Sequence, residues 1–408
     1  MSKATSLDFT NRCAASGRRN RLAHGCSLLL ATILFSACQS TTTMMMVEKQ
    51  APQPLHNTVA VSFDQNGTLW RVVTSKTTVW VDNSTDNGKS FGPAVKVNPE
   101  LQKIHATPED PPQIVVGRSG TIYLLYSADD QQKASTFFTI STDQGRSFSR
   151  PIVVSDHAKH ARNYMDALLL DRDENLYVFW HDQRHESPNG SLSLYYTTTN
   201  TPVNGQLANQ AISGDICSCC RTTVALAPDN QPVVLARMVF AEHIRDHALF
   251  KKVTVATWSA PQRVSWDSRA LDACPEQGPA LAVDERGRSH MVWFSLGQDR
   301  QGILYAHTDD YGKTLSPSQS LGNSEHLAAH PDVLVVKELV VMVWQEFDGT
   351  YHRVFGIVST DRGERWSAPA ELAKTPSESG QPKLISNGYQ FFLSWVTGQT
   401  HEMIEIKQ

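Results

Sequence analysis

The sequence predicts an all-β fold, a β-propeller built from four-stranded antiparallel blades, and three observations support this prediction. A short turn motif recurs along the chain at steps of about 55 residues. Between its copies lie runs rich in valine, leucine, isoleucine and aromatic residues, joined by polar turns. No helical period is sustained in the chain that follows the N-terminal segment. A four-stranded meander cannot bury both of its faces alone, but radial stacking of such sheets buries them.

The repeated turn has the pattern Ser/Thr-x-Asp-x-Gly-x-x-aromatic. Its copies are Ser84–Phe91, Ser141–Phe148, Ser359–Trp366 and, more weakly, Thr308–Leu315. In such a turn the aspartate accepts hydrogen bonds from backbone amides, the glycine adopts a positive φ, and the aromatic ring packs between sheets. We therefore expect the four aspartates to be structural rather than catalytic. They are Asp86, Asp143, Asp310 and Asp361.

The number of blades depends on how the last strands are counted. Six complete four-stranded units are predicted between residues 58 and 373, and a set of three further strands follows them. The strand count favours seven blades, the seventh being completed by a strand from the N-terminal region. Six blades, with the last set as a partial unit or cap, is the alternative.

The N-terminal segment predicts export. Residues 1–25 carry five basic residues and one acidic residue, and an apolar run, Ser27–Phe35, follows. A basic region, a short apolar region and small residues are typical of a secretory signal. The segment that ends at Cys38 resembles a bacterial lipobox, although Phe35 stands where leucine is usual. We predict a lipoprotein signal over residues 1–37, lipidation of Cys38, a tether over 38–57 and the propeller over 58–408; a plain cleaved signal is the alternative. Gln39 favours the outer membrane.

The composition limits the classes of protein to consider. Apolar residues make up 40% and charged residues 19% of the 408 residues, and the formal net charge is −4. These values exclude a disordered chain, a collagen-like fibre and a basic nucleic-acid binder. We expect no nucleic-acid partner, and a membrane partner through the lipid anchor. Of seven cysteines, two leave with the signal and one is lipidated. Four remain: Cys217, Cys219, Cys220 and Cys274.

One end of the propeller is predicted to carry the long loops. In a four-stranded meander the first and third turns lie at one end, and the repeated Asp-Gly turns are of this kind. The connections at the other end are longer and hold all four remaining cysteines and ten of the 15 histidines. Long loops on a rigid scaffold are common places for binding sites. The alternative is that polar residues simply collect in loops.

The four cysteines are predicted to meet at this end, because they fall in the loops of two neighbouring blades. Two disulfides are expected in an oxidising compartment, with Cys274 paired to one of the other three. A thiolate site for copper or zinc is a second interpretation, since histidines lie nearby. Redox-active thiols are a third.

The repeats resemble the Asp-box of the sialidase superfamily, and the resemblance covers residues 58–408. It implies an active site in which three arginines bind a sugar carboxylate, a tyrosine activated by a glutamate is the nucleophile, and an aspartate is the acid. The Arg-Ile-Pro motif of that family is missing from this sequence, and no Glu-Tyr-Arg order is convincing. Arginines do occur in suitable loops, with Tyr351 near one of them, so a divergent site stays open.

The strongest candidate for ligand contact is the segment Trp180–Glu186, which follows a predicted second strand and contains His181, Asp182 and Arg184. Its alternative is a surface loop held by its own His-Asp and Arg-Glu pairs. The other ligand-binding candidates are Arg221, Glu276 and Arg353. We expect a propeller that binds a glycan or a metal without hydrolysis. The alternatives are an exo-sialidase or related glycoside hydrolase and a scaffold for a protein partner.

Overall fold

The computed structural model describes residues 58–408 except for 131–132, 159–160, 188, 200–201, 204–205, 268–275, 298–299, 399 and 408. The described strands form six antiparallel sheets, which make up the seven blades of a β-propeller because one sheet spans two blades, and one small additional hairpin. Three short 3-10 helices, Gln183–His185, Ala241–His243 and Ser324–His326, are the helical elements of this part of the chain. No helix among the described residues is long and apolar enough to cross a membrane.

Blades 1 and 2 occupy the first part of the described chain. Their strands are β1 (Val59–Phe63), β2 (Leu69–Thr74), β3 (Val79–Ser84) and β4 (Val95–Lys96), then β5 (Ile104–His105), β6 (Gln113–Val116), β7 (Ile122–Asp130), β8 (Lys133–Ser141) and β9 (Ile152–Val153). In blade 2, both β5 and β6 pair with β7.

Blades 3 and 4 share one continuous sheet. Their strands are β10 (Asn163–Leu170), β11 (Leu176–Asp182), β12 (Leu192–Thr198), the hairpin β13 (Pro202–Val203) and β14 (Gln206–Leu207), β15 (Gln210–Ile216), β16 (Thr223–Leu226), β17 (Pro232–Val239), β18 (Arg245–Lys251) and β19 (Gln262–Arg263). The two blades are joined because Ile216 of β15 pairs with Met238 of β17.

Blades 5, 6 and 7 complete the ring. Their strands are β20 (Ala280–Val283), β21 (Ser289–Leu296), β22 (Gln301–Thr308), β23 (Gln319–Leu321), β24 (Ala329–Val336), β25 (Leu339–Phe347), β26 (His352–Ser359), β27 (Ala370–Thr375), β28 (Lys383–Ser386), β29 (Phe391–Thr397) and β30 (Thr400–Ile406).

The innermost strands close a ring of seven. Consecutive inner strands contact one another, and β28 of blade 7 contacts β1 of blade 1. The all-β propeller fold is therefore confirmed, and the described blades number seven, the count that the sequence favoured. Blade 7 has three strands among the described residues. The strand expected to complete it would come from a segment outside them.

The core lies between blades rather than within them. Six apolar clusters are each shared by two consecutive blades. Between blades 7 and 1, the rings of Phe63 and Phe392 lie 5.4 Å apart. Because each sheet covers a face of the next, burial of these side chains drives the radial stacking.

The repeated Asp-Gly turns have one geometry in all four copies. In the second copy, Ser141 Oγ donates to Asp143 Oδ1 at 2.8 Å, and the amide and hydroxyl of Ser147 donate to the same carboxylate at 3.0 and 2.6 Å. Asp86, Asp310 and Asp361 accept the equivalent bonds. The hydrogen bonds, with that of the Ser147 hydroxyl the largest influence, lower the pKa of Asp143 to about 2. These aspartates act as the structural turn residues that the motif predicts.

The glycine of each turn lies against the preceding blade. Gly145 has a φ of 73° and Gly363 a φ of 83°. A Cβ atom on Gly145 would lie 2.5 Å from Trp70 Cζ3, and one on Gly363 would lie 2.1 Å from the hydroxyl of Tyr305. Only glycine combines this backbone conformation with so close an approach.

Candidate functional site

The first residues of the inner strands surround a cavity of about 410 Å³ at the long-loop end, which we call the axial cavity. Six of the seven connections that lead into inner strands contribute to its wall. The lining residues are Thr107–Glu109, Tyr164–Met165, Ser218–Cys219, Glu276, His330 and Ser379–Gln381. The propeller topology thus brings together residues that are far apart in the sequence.

A second cavity of about 270 Å³ is lined by the inner strands of all seven blades, and we call it the lower cavity. Glu109 lines both cavities, so its carboxylate lies where the two meet. Asp166, Arg221, Asp332 and Lys383 also line the lower cavity. A separate cavity of about 280 Å³, near Trp266, is lined by residues of blades 4 and 5 alone. The axial cavity and the lower cavity, which many blades line, therefore lie at the propeller axis, whereas the cavity near Trp266 lies between two blades.

The centre of the site is a buried hydrogen-bonded network. Arg221 Nη1 donates to Glu109 Oε1 at 3.0 Å and to Gln381 Oε1 at 2.6 Å, while Gln381 Nε2 donates to Glu109 Oε1 at 2.6 Å. The amides of Gly278 and Arg221 donate to Glu109 Oε2 at 3.0 and 3.3 Å. Glu109 is 7% and Arg221 9% exposed. Charge pairing at this depth compensates the cost of burying both groups.

The protonation states at the cavities follow from burial and charge. Burial acts to raise the pKa of Glu109, but the Arg221 charge and the bonds from Gln381 and Gly278 outweigh it and lower the pKa. Burial, reinforced by the Arg221 charge, lowers the pKa of Lys383 to about 8. Burial also lowers the pKa of His330 to about 4, so its ring is neutral at pH 7.

Two buried carboxyl groups lie beside this network. The amide of Asp166 donates to Asp110 Oδ1 at 3.1 Å, and Thr136 Oγ1 donates to Asp166 Oδ1 at 2.5 Å. Burial is the main cause that raises the pKa of Asp110 to about 6 and that of Asp166 well above its ordinary value. The nearby Asp110 charge raises the pKa of Asp166 further. Two carboxyls in one dry site cannot both ionise easily, so this pair retains a proton.

The wall of the axial cavity contains strained backbone and unpaired nitrogen. Met165, Glu276 and His330 have φ angles of 57°, 48° and 52°. The pairing of β10 with β11 and of β24 with β25 shifts register beside Met165 and His330. Nδ1 of His330, and Nη2 of Arg221 in the wall of the lower cavity, are buried and have no hydrogen-bond partner within the described ranges. Bulges and strained residues are over-represented next to functional sites.

The cysteine motif lies at the junction of blades 3 and 4. The amide of Cys217 donates to the carbonyl of Arg237 at 2.9 Å, directly after β15. Cys217 Sγ lies 3.6 Å from Cys219 Sγ and 3.7 Å from Cys220 Sγ. Cys219 is in a disulfide, whereas Cys217 and Cys220 are free thiols. Cys274 lies outside the described residues.

The two free thiols differ in pKa. The hydrogen bond with Cys220 is the largest influence on Cys217, and with the charges of Arg245 and Arg237 it outweighs burial and lowers the pKa to about 6. The same bond, together with burial, raises the pKa of Cys220. Nη1 of Arg245 donates to Cys217 Sγ at 3.2 Å. The three sulfur atoms lie close enough to bridge a metal ion. Because Cys219 is oxidised, two of the three are available as thiolates in this state.

The segment Trp180–Glu186 forms a closed network that does not line the axial cavity. Arg184 bonds to Asp182 through Nε at 2.9 Å and through Nη2 at 2.8 Å, and to Asp156 at 2.7 Å. His181 is fully buried and shares a hydrogen bond of 2.8 Å with Thr222 Oγ1. Ligand contact by His181, Asp182 or Arg184 stays a prediction, and the geometry resembles the alternative of a self-paired loop.

The remaining predicted residues divide between the cavities and other places. Glu276 lines the axial cavity and Arg221 the lower one. Arg353 is bonded to Asp348 at 2.8 Å and to Glu371 at 2.5 Å, away from both cavities. Of the arginines that the structure describes, Arg221 is the one that lines either cavity. The described residues therefore do not show the three-arginine arrangement that the family resemblance implies. Cys38 lies outside the described residues.

The central residues that we did not single out from the sequence are Glu109, Gln381, His330, Tyr164 and Lys383. Each lies at the start of an inner strand or just before it. Selecting the residues before each first strand would have identified most of them. The sequence analysis selected Asp182 as a ligand contact, but its carboxylate has a structural partner in the neighbouring Trp180. Trp180 Nε1 donates to it at 2.9 Å, as Trp344 Nε1 donates to Glu346 at 2.8 Å three blades later.

The comparisons with known proteins support the fold. No protein-family model matches the chain, and no curated protein matches it. Among solved structures, the chain is similar to an ulvan lyase of polysaccharide lyase family PL25, at 10% identity over 87% of this chain and 94% of that one, with a TM-score of 0.57. A protein of unknown function from Dyadobacter fermentans matches at 12% identity over 76% of this chain and 96% of that one, with a TM-score of 0.51. A Hadza microbial sialidase, Hz136, matches at 13% identity over 83% and 72%, with a TM-score of 0.49.

These likenesses, together with the topology, define the class of protein. The chain has a β-propeller fold, as the repeated turns predicted. At 10 to 13% identity the similarity concerns the fold alone. The function has to be argued from the residues of the axial cavity.

Proposed function

We propose that the axial cavity binds a carbohydrate and does not cleave it. The observation that carries this proposal is the convergence of six inter-blade connections on one cavity of about 410 Å³. Its wall holds the carboxylates of Glu109 and Glu276, the amide of Gln381 and the neutral imidazole of His330. Cavities of this size with a few placed polar groups are the usual form of small-ligand sites.

The polar groups suit hydroxyl-rich ligands. Glu109 accepts hydrogen bonds, Gln381 both donates and accepts, and the unpaired Nδ1 of His330 can do either. A sugar hydroxyl also donates and accepts, so it can satisfy each of them. The ulvan lyase with a similar fold was solved bound to a glucuronate–sulfated rhamnose unit. That ligand supports a carbohydrate as the class to test first.

Binding without cleavage is supported by the state of the carboxylates. Glycoside hydrolysis normally needs one acid that is protonated and one that is free to attack or to activate water. Glu109 has a lowered pKa and is held by Arg221 at 3.0 Å. Asp166, whose pKa is raised by burial, is 6% exposed and is bonded to Ser127 and Thr136. Neither of these two buried groups is placed as a free catalytic acid, and the other carboxylate of the axial wall, Glu276, is exposed to solvent.

The test is direct binding by the mature chain to a panel of neutral, uronic and sialylated oligosaccharides, followed by calorimetry on each hit. Replacing His330 by alanine removes a side chain with an unpaired nitrogen from the wall. We expect affinity to fall about tenfold, the equivalent of one or two good hydrogen bonds. His326→Ala is the matched control, since His326 lies in the same connection and pairs with Glu346 outside the cavity wall.

The outcomes separate the candidate functions. Equal affinity of the wild type and His330→Ala for a bound glycan would place the site elsewhere. New reducing ends, released sialic acid or an unsaturated uronate would show cleavage and favour a hydrolase or lyase. Binding to no member of the panel, together with stable capture of one protein partner that His330→Ala abolishes, would favour a scaffold.

A lipid anchor in the bacterial envelope is a further part of the proposal. It is supported by the signal-like residues 1–37 and by the lipobox-like segment that ends at Cys38. Expression with a labelled fatty acid should give a labelled membrane-bound protein, whereas Cys38→Ala should be unlabelled. An unlabelled wild type that is released into the soluble fraction would contradict the anchor.

A further inference from the structure

The cysteine motif places a free thiol next to a disulfide. Cys217 Sγ lies 3.6 Å from the sulfur of Cys219, which is oxidised. Cys220 Sγ lies 3.7 Å from Cys217 on its other side. Cys217 is 0% and Cys220 1% exposed, whereas Cys219 is partly exposed and lines the axial cavity. The buried dithiol of Cys217 and Cys220 therefore lies next to the disulfide of Cys219 at the wall of the axial cavity.

We propose that this motif is a thiol–disulfide exchange centre in which Cys217 is the nucleophile. Its thiolate attacks Cys219 Sγ, a Cys217–Cys219 disulfide forms, and the sulfur previously bonded to Cys219 leaves as a thiolate. Cys220, deprotonated by transfer of its proton to that leaving thiolate, then attacks Cys217. The Cys217–Cys220 disulfide forms and Cys219 leaves as a thiolate. One disulfide and two thiols are present before and after, so no external oxidant is needed.

The surroundings of Cys217 favour a nucleophile over a structural cysteine. The guanidinium of Arg245 donates to its sulfur at 3.2 Å, and the carbonyl of Arg237 fixes its amide at 2.9 Å. A cationic donor stabilises a thiolate and makes it reactive. The Cys217-x-x-Cys220 spacing is also that of dithiol oxidoreductase motifs. Cys217 and Cys220 share an apolar environment with Val239, which excludes outside reactants.

The same contacts make a metal site the weaker interpretation. The bond to Cys219 removes one of the three sulfurs from metal coordination while the disulfide is intact. A positively charged guanidinium at 3.2 Å from Cys217 also opposes a cation at that sulfur. The exchange converts the Cys219 sulfur from a disulfide into a thiol at the wall of the axial cavity. A ligand in that cavity would therefore meet a disulfide sulfur before the exchange and a thiol after it.

The test is native thiol trapping of the mature chain without reductant. A small maleimide is added to the folded protein, and the sites of modification are found by fragment-ion mapping of the tryptic peptide 185–221, which contains all three cysteines. In the wild type we expect label to accumulate on Cys219. In Cys217→Ser we expect Cys219 to stay unlabelled, because the first step cannot occur.

A second variant separates the two steps. In Cys220→Ser the first exchange can proceed and the second cannot. We expect the former partner of Cys219 to become labelled while Cys219 itself stays in a disulfide. Ser218→Ala changes the residue between the two sulfurs without removing one, and it should label like the wild type. Unfolding midpoints of each variant show whether it has folded.

Three results would overturn the proposal. Cys219 could remain unlabelled in the folded wild type over times that fully label a reduced and denatured sample. Cys219 could be labelled as fast in Cys217→Ser as in the wild type. Elemental analysis of protein made in the periplasm could find stoichiometric copper or zinc whose removal is needed before Cys217 or Cys220 reacts, which would make the cluster a metal site. Glycan binding is measured separately, so it can fail without affecting any of these results.

Discussion

The buried carboxylate of Glu109 gives the sharpest stability prediction, through the change Glu109→Gln. Each of its oxygens accepts two N–H groups: Oε1 from Arg221 Nη1 and Gln381 Nε2, and Oε2 from the amides of Gly278 and Arg221. Glutamine has the same shape but only one oxygen. Whichever way its amide is turned, its NH2 group faces two donors that have lost their acceptor.

The size of the effect follows from these contacts. Arg221 is 9% exposed, and removing the partner of a buried charge costs about 3–5 kcal/mol. Each stranded donor alone would cost about 1–3 kcal/mol, which is consistent with that range. With a denaturant slope of about 3 kcal/mol/M in urea, the unfolding midpoint should fall by about 1 M or slightly more.

The assay is urea unfolding of the mature chain followed by tryptophan fluorescence. Glu378→Gln is the control, because Glu378 precedes inner strand β28, as the Glu109 partner Gln381 does, and is exposed. We expect that control to change the midpoint little, since surface substitutions usually alter stability by about 0.5 kcal/mol or less. A Glu109→Gln midpoint that is indistinguishable from that of Glu378→Gln would refute the ion-pair reasoning.

Three further predictions concern the scaffold. Gly363→Ala should destabilise the folded protein by about 1–3 kcal/mol or more in the same unfolding assay, because its Cβ would lie 2.1 Å from the hydroxyl of Tyr305. Gly67→Ala, at a similar φ but in open space, should cost less stability, and equal losses for the two variants would count against the clash. Since the pKa of Asp143 is lowered to about 2, its ionised form should stabilise the fold above about pH 4, and this stabilisation should be lost as the pH falls toward 2. The unfolding midpoints of the wild type and Asp143→Asn should therefore converge near pH 2, and a difference that stays constant with pH would contradict this. Arg184→Gln should lower the unfolding midpoint and leave glycan affinity unchanged, and weakened binding measured by calorimetry would restore Arg184 as a ligand contact.

The fold could be predicted from the sequence because its signals are local and repeated. The Asp-box turn fixes its own geometry through bonds within five residues, as Asp86 does with Ser84 and Ser90. The strand runs on either side carry the apolar pattern of sheets that pack face to face. The seven inner strands were countable for the same reason. The strand expected to close blade 7 is still a prediction.

The site was harder to predict because its contacts are not local. Glu109 meets Arg221 and Gln381 across 112 and 272 positions of the chain. Loop location alone did not separate these residues from Asp182, which is held by the neighbouring Trp180. The cysteine motif was visible at once, but its sequence could not show that Cys219 would be oxidised while Cys217 and Cys220 stayed free.

Backbone strain gives an independent reason to assign function to the axial cavity. At the other end of the propeller, positive φ angles recur at the same places of four turns, as at Asn87–Gly88, where hydrogen bonds to Ser84 and Asp86 support them. Met165, Glu276 and His330 also recur at about the repeat step, 111 and 54 residues apart, and all three line the axial cavity. Positive φ is unfavourable for side chains of these types, and it persists only where the surroundings enforce it. Glu109 and Gln381 line the same cavity from blades 2 and 7 without a positive φ, so the repeating scaffold does not impose this conformation on every blade. We attribute the strain at Met165, Glu276 and His330 to the placement of ligand-binding groups.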